Sequence, residues 1–133
     1  MQDNARVAPN RNIVLVVDDD QAILRTATMA LAGAGFRAVV AENGVAGMEA
    51  FISVQDEICL VIIDVIMPIM DGQAMAAAVR EIDPGAKVLL MSGYSDSVLM
   101  LSGSHDFPFI RKPFLPSDLI RKINKILSTS ANA

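Results

Sequence analysis

The sequence contains one cysteine, Cys59, in 133 residues, so no disulfide framework holds it together. A lone thiol inside an apolar run fits a reducing compartment. Although 53% of the residues are hydrophobic and the mean hydropathy is +0.43, no apolar run approaches the roughly 18 residues that a membrane helix needs. The first residues, Met1 to Asn12, are polar where a secretory signal would be apolar, and a cytoplasmic location without membrane attachment is expected. Basic charge is also scarce. Eleven Lys and Arg against fifteen Asp and Glu leave a net charge of -4 and a pI near 4.8, which argues against direct nucleic-acid binding by this chain. Internal repeats and low-complexity tracts are missing too. What remains is a length suited to one domain, able to bury roughly two-thirds of the surface its unfolded chain exposes.

The most informative stretch runs from Leu60 to Gly72. Cys59 to Ile63 is a short apolar run rich in β-branched side chains, the pattern of a strand buried on both faces in a parallel sheet. It stops at Asp64. In open α/β sheets ligands sit outside the carboxyl ends of the strands, so a carboxylate there is placed for chemistry. Pro68 then bars helix, and Asp71-Gly72 restarts the chain.

Taken in order, residues 1–11 read as a flexible tail, 12–128 as the folded domain and 129–133 as a frayed end. Ile13 to Val17 is a second buried strand, ending in Asp18-Asp19-Asp20. Asp20 caps a helix with Ile23, Leu24, Ala27, Ala30 and Leu31 at helical spacing, closed by Gly33 and Gly35. Phe36 to Ala41 is a strand, and Val45 to Val54 a helix. A third helix spans Gln73 to Ile82 behind the Asp71 cap. Lys87 to Met91 is the fourth strand, stopping at Ser92-Gly93, and a weak helix follows from Ser95 to about Leu101. Phe107 to Arg111 is the fifth strand, ending at Lys112-Pro113. Leu115 to Asp118 opens a last helix striped with Leu119, Ile120, Ile123, Ile126 and Leu127. Strands alternating with helices give (βα)5, a doubly wound α/β fold with a parallel five-stranded sheet.

Asp18, Asp19, Asp64, Ser92 and Lys112 each fall at the carboxyl end of an expected strand, so the fold brings them to one edge. Three converging carboxylates repel one another unless one is protonated or a cation joins them. Mg2+, which takes oxygen ligands from one or two carboxylates, waters and a phosphate, resolves the conflict. A carboxylate can attack phosphorus to form an aspartyl phosphate, and an ammonium such as that of Lys112 offsets charge on the transferring group. Ser92 can donate a hydrogen bond to a phosphoryl oxygen. Movement of the Ser92-Gly93 loop would then free space for an aromatic side chain, with Phe109 the candidate.

These motifs resemble the receiver domains of two-component response regulators. The acidic pair Asp18-Asp19, Asp64 with the following Met-Pro-x-Met-Asp-Gly, Ser92, and Lys112-Pro113 occur in the family's order over residues 12 to 128. The resemblance implies a flavodoxin-like sheet of order 2-1-3-4-5 and Asp64 as phosphoacceptor. It implies Mg2+ held by Asp19, Asp64 and the Ile66 carbonyl, with Asp18 acting largely through water. Ser92, Gly93, Lys112 and Phe109 would form the phosphoryl-binding and switch set, and the Lys112-Pro113 bond would be cis, against a base rate of roughly 5% for such bonds. Ile66 and Tyr94 stand where the family tunes phosphate lifetime, and both are apolar or bulky enough to hinder water, so slow self-dephosphorylation is expected. The implied partner is a histidine kinase or a histidine phosphotransfer protein. The oligomeric state, monomer or weak dimer, is left open, and the chain is expected to be a signalling domain rather than an enzyme. Met91 to Asp96 is more similar to receivers from hybrid kinases. The family's output face, formed by the fourth helix, fifth strand and fifth helix, is here weakened by glycine and serine between Ser92 and Lys112.

Plainer readings stand beside these. Asp20 and Asp71 read as helix caps, Cys59 as a small buried hydrophobe, the eight methionines as core filler, and His105 as an exposed loop residue. Arg121, Lys122 and Lys125 read as a solvated helix face. A haloacid-dehalogenase-type phosphatase would use the Asp-x-Asp of Asp18-Asp19-Asp20, but Gln21-Ala22 departs from that pattern and Asp64 would be unexplained. A flavin carrier on the same sheet would need a Ser, Thr and Gly loop after the first strand, where this chain has three repelling aspartates.

Overall fold

The computed structural model describes residues 11–93 and 107–130. The expected helix from Ser95 to about Leu101, together with Tyr94 and His105, lies outside these residues. Five strands form one parallel sheet: β1 (Ile13–Val17), β2 (Arg37–Ala41), β3 (Ile58–Asp64), β4 (Val88–Ser92) and β5 (Phe109–Arg111), in the order β2-β1-β3-β4-β5. Four helices are described: α1 (Gln21–Gly33), α2 (Gly44–Ser53), α3 (Gly72–Ile82) and α4 (Pro116–Ser130).

Every residue of β1 and β4 is buried. Alternation along the strands divides their side chains between two cores. Ile13, Leu15, Val17, Val61, Ile63, Val88 and Leu90 point toward α2 and α3, where Phe51, Met75, Ala76 and Val79 meet them. Val14, Val16, Leu60, Ile62, Leu89 and Met91 point the other way, onto Leu24, Ala27 and Leu31 of α1 and Leu119, Ile123 and Leu127 of α4. The expected apolar stripes of α1 and α4 are thus the surfaces that cover one face of the sheet.

Boundaries differ from the sequence reading where a cap or a proline intervenes. Phe36 is not in β2 but closes α1. Gly35, at φ +93°, sends its N–H to Ala32 O, and Phe36 sends its N–H to Leu31 O, the paired bonds of a Schellman cap with its apolar residue packed below. Phe107 and Pro108 precede β5 rather than belonging to it. Pro108 has no N–H to give the ladder, although its carbonyl still accepts from Leu90, and the Phe107 ring lies under the Arg80 guanidinium at 4.9 Å. α4 runs to Ser130, past the expected end at 128, because neither glycine nor proline follows Leu127 to stop it.

Candidate functional site

The carboxyl edge of the sheet gathers the candidate residues. Asp18 follows β1 and is anchored there by its own N–H, which donates to Ala41 O of β2 at 3.1 Å. Asp64 is the last residue of β3, in register with Met91, and the next N–H, of Val65, donates to Met91 O at 2.9 Å. Ser92 ends β4. Lys112 follows β5, its N–H donating to Ser92 O at 2.7 Å, and the Lys112-Pro113 peptide bond is cis.

At this edge the lysine ammonium bridges two carboxylates, lying 3.0 Å from Asp18 Oδ2 and 3.2 Å from Asp64 Oδ1. Carboxylate oxygens of Asp18, Asp19 and Asp64 all fall within 4.8 Å of one another. Asp18 and Asp64 are buried, whereas Asp19 is exposed at the mouth. Asp18 Oδ1 accepts the Asp20 N–H at 2.9 Å. Its Oδ2 is reached by the ammonium as an ion pair without the geometry of a directed hydrogen bond, and the buried Ser92 hydroxyl oxygen has no hydrogen-bond partner. Among the described residues the buried polar or charged side chains are Asp18, Asp64 and Ser92, and all three are here. Buried polar groups are ordinarily satisfied, so their concentration at one edge marks a place built to receive something.

The charges follow from this burial. Asp64 is pushed up to about 6, first by desolvation and then by the Asp18 charge, against the pull of the Lys112 ammonium and of a hydrogen bond from the Ile66 backbone. Asp18 is raised by burial more than its Asp20 N–H bond and Lys112 lower it. Burial pulls Lys112 down, but its two carboxylate partners outweigh that and hold it above the ordinary lysine value. Two buried carboxylates sharing one cation are therefore short of positive charge, and an all-oxygen donor set with Asp19 open to solvent suits a hard divalent ion.

Other expected residues lie around this centre. Ile66 is half-exposed, two residues beyond Asp64. Phe109 is half-buried against the core of α2 and α3 and is in register with Leu90, two residues before Ser92. Gly93 follows Ser92 directly. Asp20 and Asp71 are helix caps: Asp20 accepts the Ala22 N–H at 2.9 Å and Asp71 the Ala74 N–H at 2.8 Å. With Asp20 committed to α1, the Asp-x-Asp needed for the phosphatase reading is not available as a pair.

Two features of the site escaped the sequence reading. Pro68 O accepts the Met70 N–H at 2.8 Å around Ile69, whose φ is +73° and whose side chain is 86% exposed. This is the rare, strained kind of γ-turn, and a β-branched residue in it is an outlier. Gly72, at the start of α3, lies so close to β3 that a Cβ there would collide with the Asp64 carbonyl and come within 2.8 Å of the Val65 Cα. Its N–H donates to Val65 O at 2.8 Å, closing the loop that begins at Asp64. Glycine standing directly before an expected helix was a signal for the second feature; nothing in Pro-Ile-Met announced the first.

A doubly wound parallel sheet with an acidic, lysine-bridged pocket on its carboxyl edge defines the class of molecule. Residues 14–124 match the model of the response regulator receiver domain. The chain belongs to that family, and is a receiver domain of two-component systems. It is 30% identical to the response regulator receiver protein CpdR of Brucella abortus over 118 residues, covering 86% of this chain and 95% of that protein. It is also 33% identical to the DNA-binding transcriptional regulator NtrC of Escherichia coli over 120 residues, covering 89% of this chain but 25% of NtrC. A similar match to the sensor kinase CckA of Brucella abortus spans 12% of that protein. Among solved structures, a receiver domain protein from Methanospirillum hungatei superposes with a TM-score of 0.76 at 30% identity, covering 91% of this chain and 97% of that one. One from Sinorhizobium medicae superposes at 0.80 and 26% identity, covering 92% and 99%.

Proposed function

We propose that Asp64 is the phosphoacceptor of this receiver domain, taking a phosphoryl group from a phosphohistidine on a histidine kinase or a histidine phosphotransfer protein. The observation that supports it most strongly is the position of Asp64: buried at the end of β3, 3.2 Å from the Lys112 ammonium and grouped with two further carboxylates. An Asp64 carboxylate oxygen attacks the phosphorus, the phosphorus–nitrogen bond of the donor breaks, and the imidazole nitrogen leaves and takes up a proton. Asp19 and Asp64, with the Ile66 carbonyl and with Asp18 through water, would hold Mg2+, which when bound offsets the negative charge of the transferring group.

The chain's own residues do the rest. Lys112, already held between Asp18 and Asp64, is within reach of a phosphoryl oxygen on Asp64 and supplies a charge-assisted hydrogen bond. Ser92, whose buried hydroxyl lacks a partner, gains one in the same product. Drawing Ser92 and Gly93 inward opens space that Phe109 can occupy, and this shift between two conformations carries the signal. Ile66, half-exposed beside Asp64, and Tyr94 hinder attacking water, so the phosphorylated form is long-lived.

The test is intact mass after incubation with acetyl phosphate. Wild type with Mg2+ gains one phosphoryl group, whereas Asp64→Asn and a chelated sample gain none. Equal labelling of Asp64→Asn would refute the assignment. A half-life of seconds for the labelled form in Mg2+ buffer would refute the role given to Ile66 and Tyr94.

A further inference from the structure

The edge of the sheet opposite the acidic pocket has the opposite charge. Two adjoining cavities, of about 570 and 210 Å3, share Gly85, Ala86 and Lys87 in their linings and make a trough under the starts of β3 and β4 and the approach to β5. Its cations are Arg80, Lys87, Lys122 and Lys125 around the larger lobe and Arg11 in the smaller. These are five of the eleven basic residues in a chain of net charge -4. The single carboxylate lining either lobe, Asp83, accepts the Gly85 N–H at 3.0 Å. Between the cations the larger lobe presents the exposed Pro84 and Pro108 and the half-buried Ile126.

Helix dipoles explain only part of this concentration. Arg80 lies in the last turn of α3, where a cation complements the helix carboxyl end, and it is already committed to Ala86 O at 2.6 Å and to the Phe107 ring. Lys122 and Lys125 are in the body of α4, whose last turn has no basic residue. Lys87 and Lys122 form no ion pair among the described residues.

We propose that this trough is a docking site for an acidic peptide segment of a partner protein, with carboxylates interleaved with apolar side chains. The carboxylates would meet Lys87 and Lys122, and the apolar side chains would rest on Pro84, Pro108 and Ile126. Charge complementarity argues for the acid, and the apolar side chains set between the cations argue for a polypeptide, which carries both kinds of group, rather than a purely charged small anion. A nucleic-acid backbone has no use for those apolar side chains and is repelled by the rest of an acidic surface.

The experiment is fluorescence anisotropy with a short labelled peptide in which Glu alternates with Leu. The same peptide with Gln for Glu and a short labelled duplex DNA serve as further probes, each titrated with wild type and with Lys87→Glu/Lys122→Glu. The Glu-Leu peptide is expected to bind wild type, to lose about tenfold in affinity to the double variant, and to weaken with added salt. The milder Lys122→Gln is expected to lose less, and unchanged urea midpoints establish that both variants fold. No binding to wild type, equal binding to the charge-reversed protein, equal binding of the Gln-Leu peptide, or tighter binding of the duplex DNA would each overturn the proposal.

Discussion

Asp64 is ionised at a disadvantage, because desolvation and the Asp18 charge oppose it more than Lys112 helps. Its folded carboxyl keeps a proton up to about pH 6, whereas the unfolded one releases it near 3.8. Between these values the folded state binds more protons, so the stability of the metal-free protein should fall as pH rises through that window and stay low above it. The loss is on the order of 3 kcal/mol at most. Asp64→Asn removes the conflict, so its urea midpoint should exceed that of metal-free wild type at pH 7.5 and converge with it near pH 4. Mg2+ should stabilise wild type at pH 7.5 far more than at pH 5. A pH-independent midpoint for metal-free wild type would contradict this account. At the same scale, Ile69 holds a positive φ with its side chain in solvent, so Ile69→Gly should relieve strain while giving up little burial. A gain of about 1 kcal/mol in chemical denaturation is expected, and a loss of similar size would show that the turn is not strained.

At the scale of the element, the loop from Asp64 to Gly72 joins strand to helix by close backbone approach. Gly72→Ala would force a Cβ into the Asp64 carbonyl, and because that neighbour is backbone it cannot swing aside. A loss of roughly 1–3 kcal/mol is expected, together with slower phosphorylation, since Asp64 itself must shift. A fully active, equally stable variant would refute the steric reading. Asp20→Ala tests the contrast between cap and ligand: it should cost about 1 kcal/mol of stability through α1 yet leave Mg2+ affinity unchanged by titration, whereas Asp19→Ala should weaken that affinity. These elements also show what the sequence could reveal. The buried strands were legible because Ile13 to Val17 and Cys59 to Ile63 are unbroken apolar runs ending in carboxylates, and the caps because Asp20 and Asp71 stand at helix starts. Phe36 and Phe107 misled because an apolar residue beside a strand looks the same whether it continues the ladder, closes a Schellman cap or sits under an arginine. The γ-turn at Ile69 was hidden because a β-branched residue stands where glycine or asparagine would have signalled a positive φ.

At the scale of the molecule, the parallel sheet separates charge along its own axis. Acid collects at the carboxyl ends of the strands, where Asp18, Asp19 and Asp64 meet Lys112, and base collects at the opposite edge. The first pole was readable from sequence because each residue closes a recognisable strand. The second was not, because Arg11, Arg80, Lys87 and Lys122 come from separate elements, and Lys122 taken alone reads as an ordinary solvated lysine. The central claim is that one carboxylate of the acidic pole, Asp64, carries the phosphoryl group. The most direct measurement is to phosphorylate the protein with acetyl phosphate and Mg2+, reduce the acyl phosphate with borohydride, and map the resulting homoserine by peptide mass spectrometry. Homoserine at position 64 alone is the expected result; homoserine at position 18 or 19 instead would contradict the account.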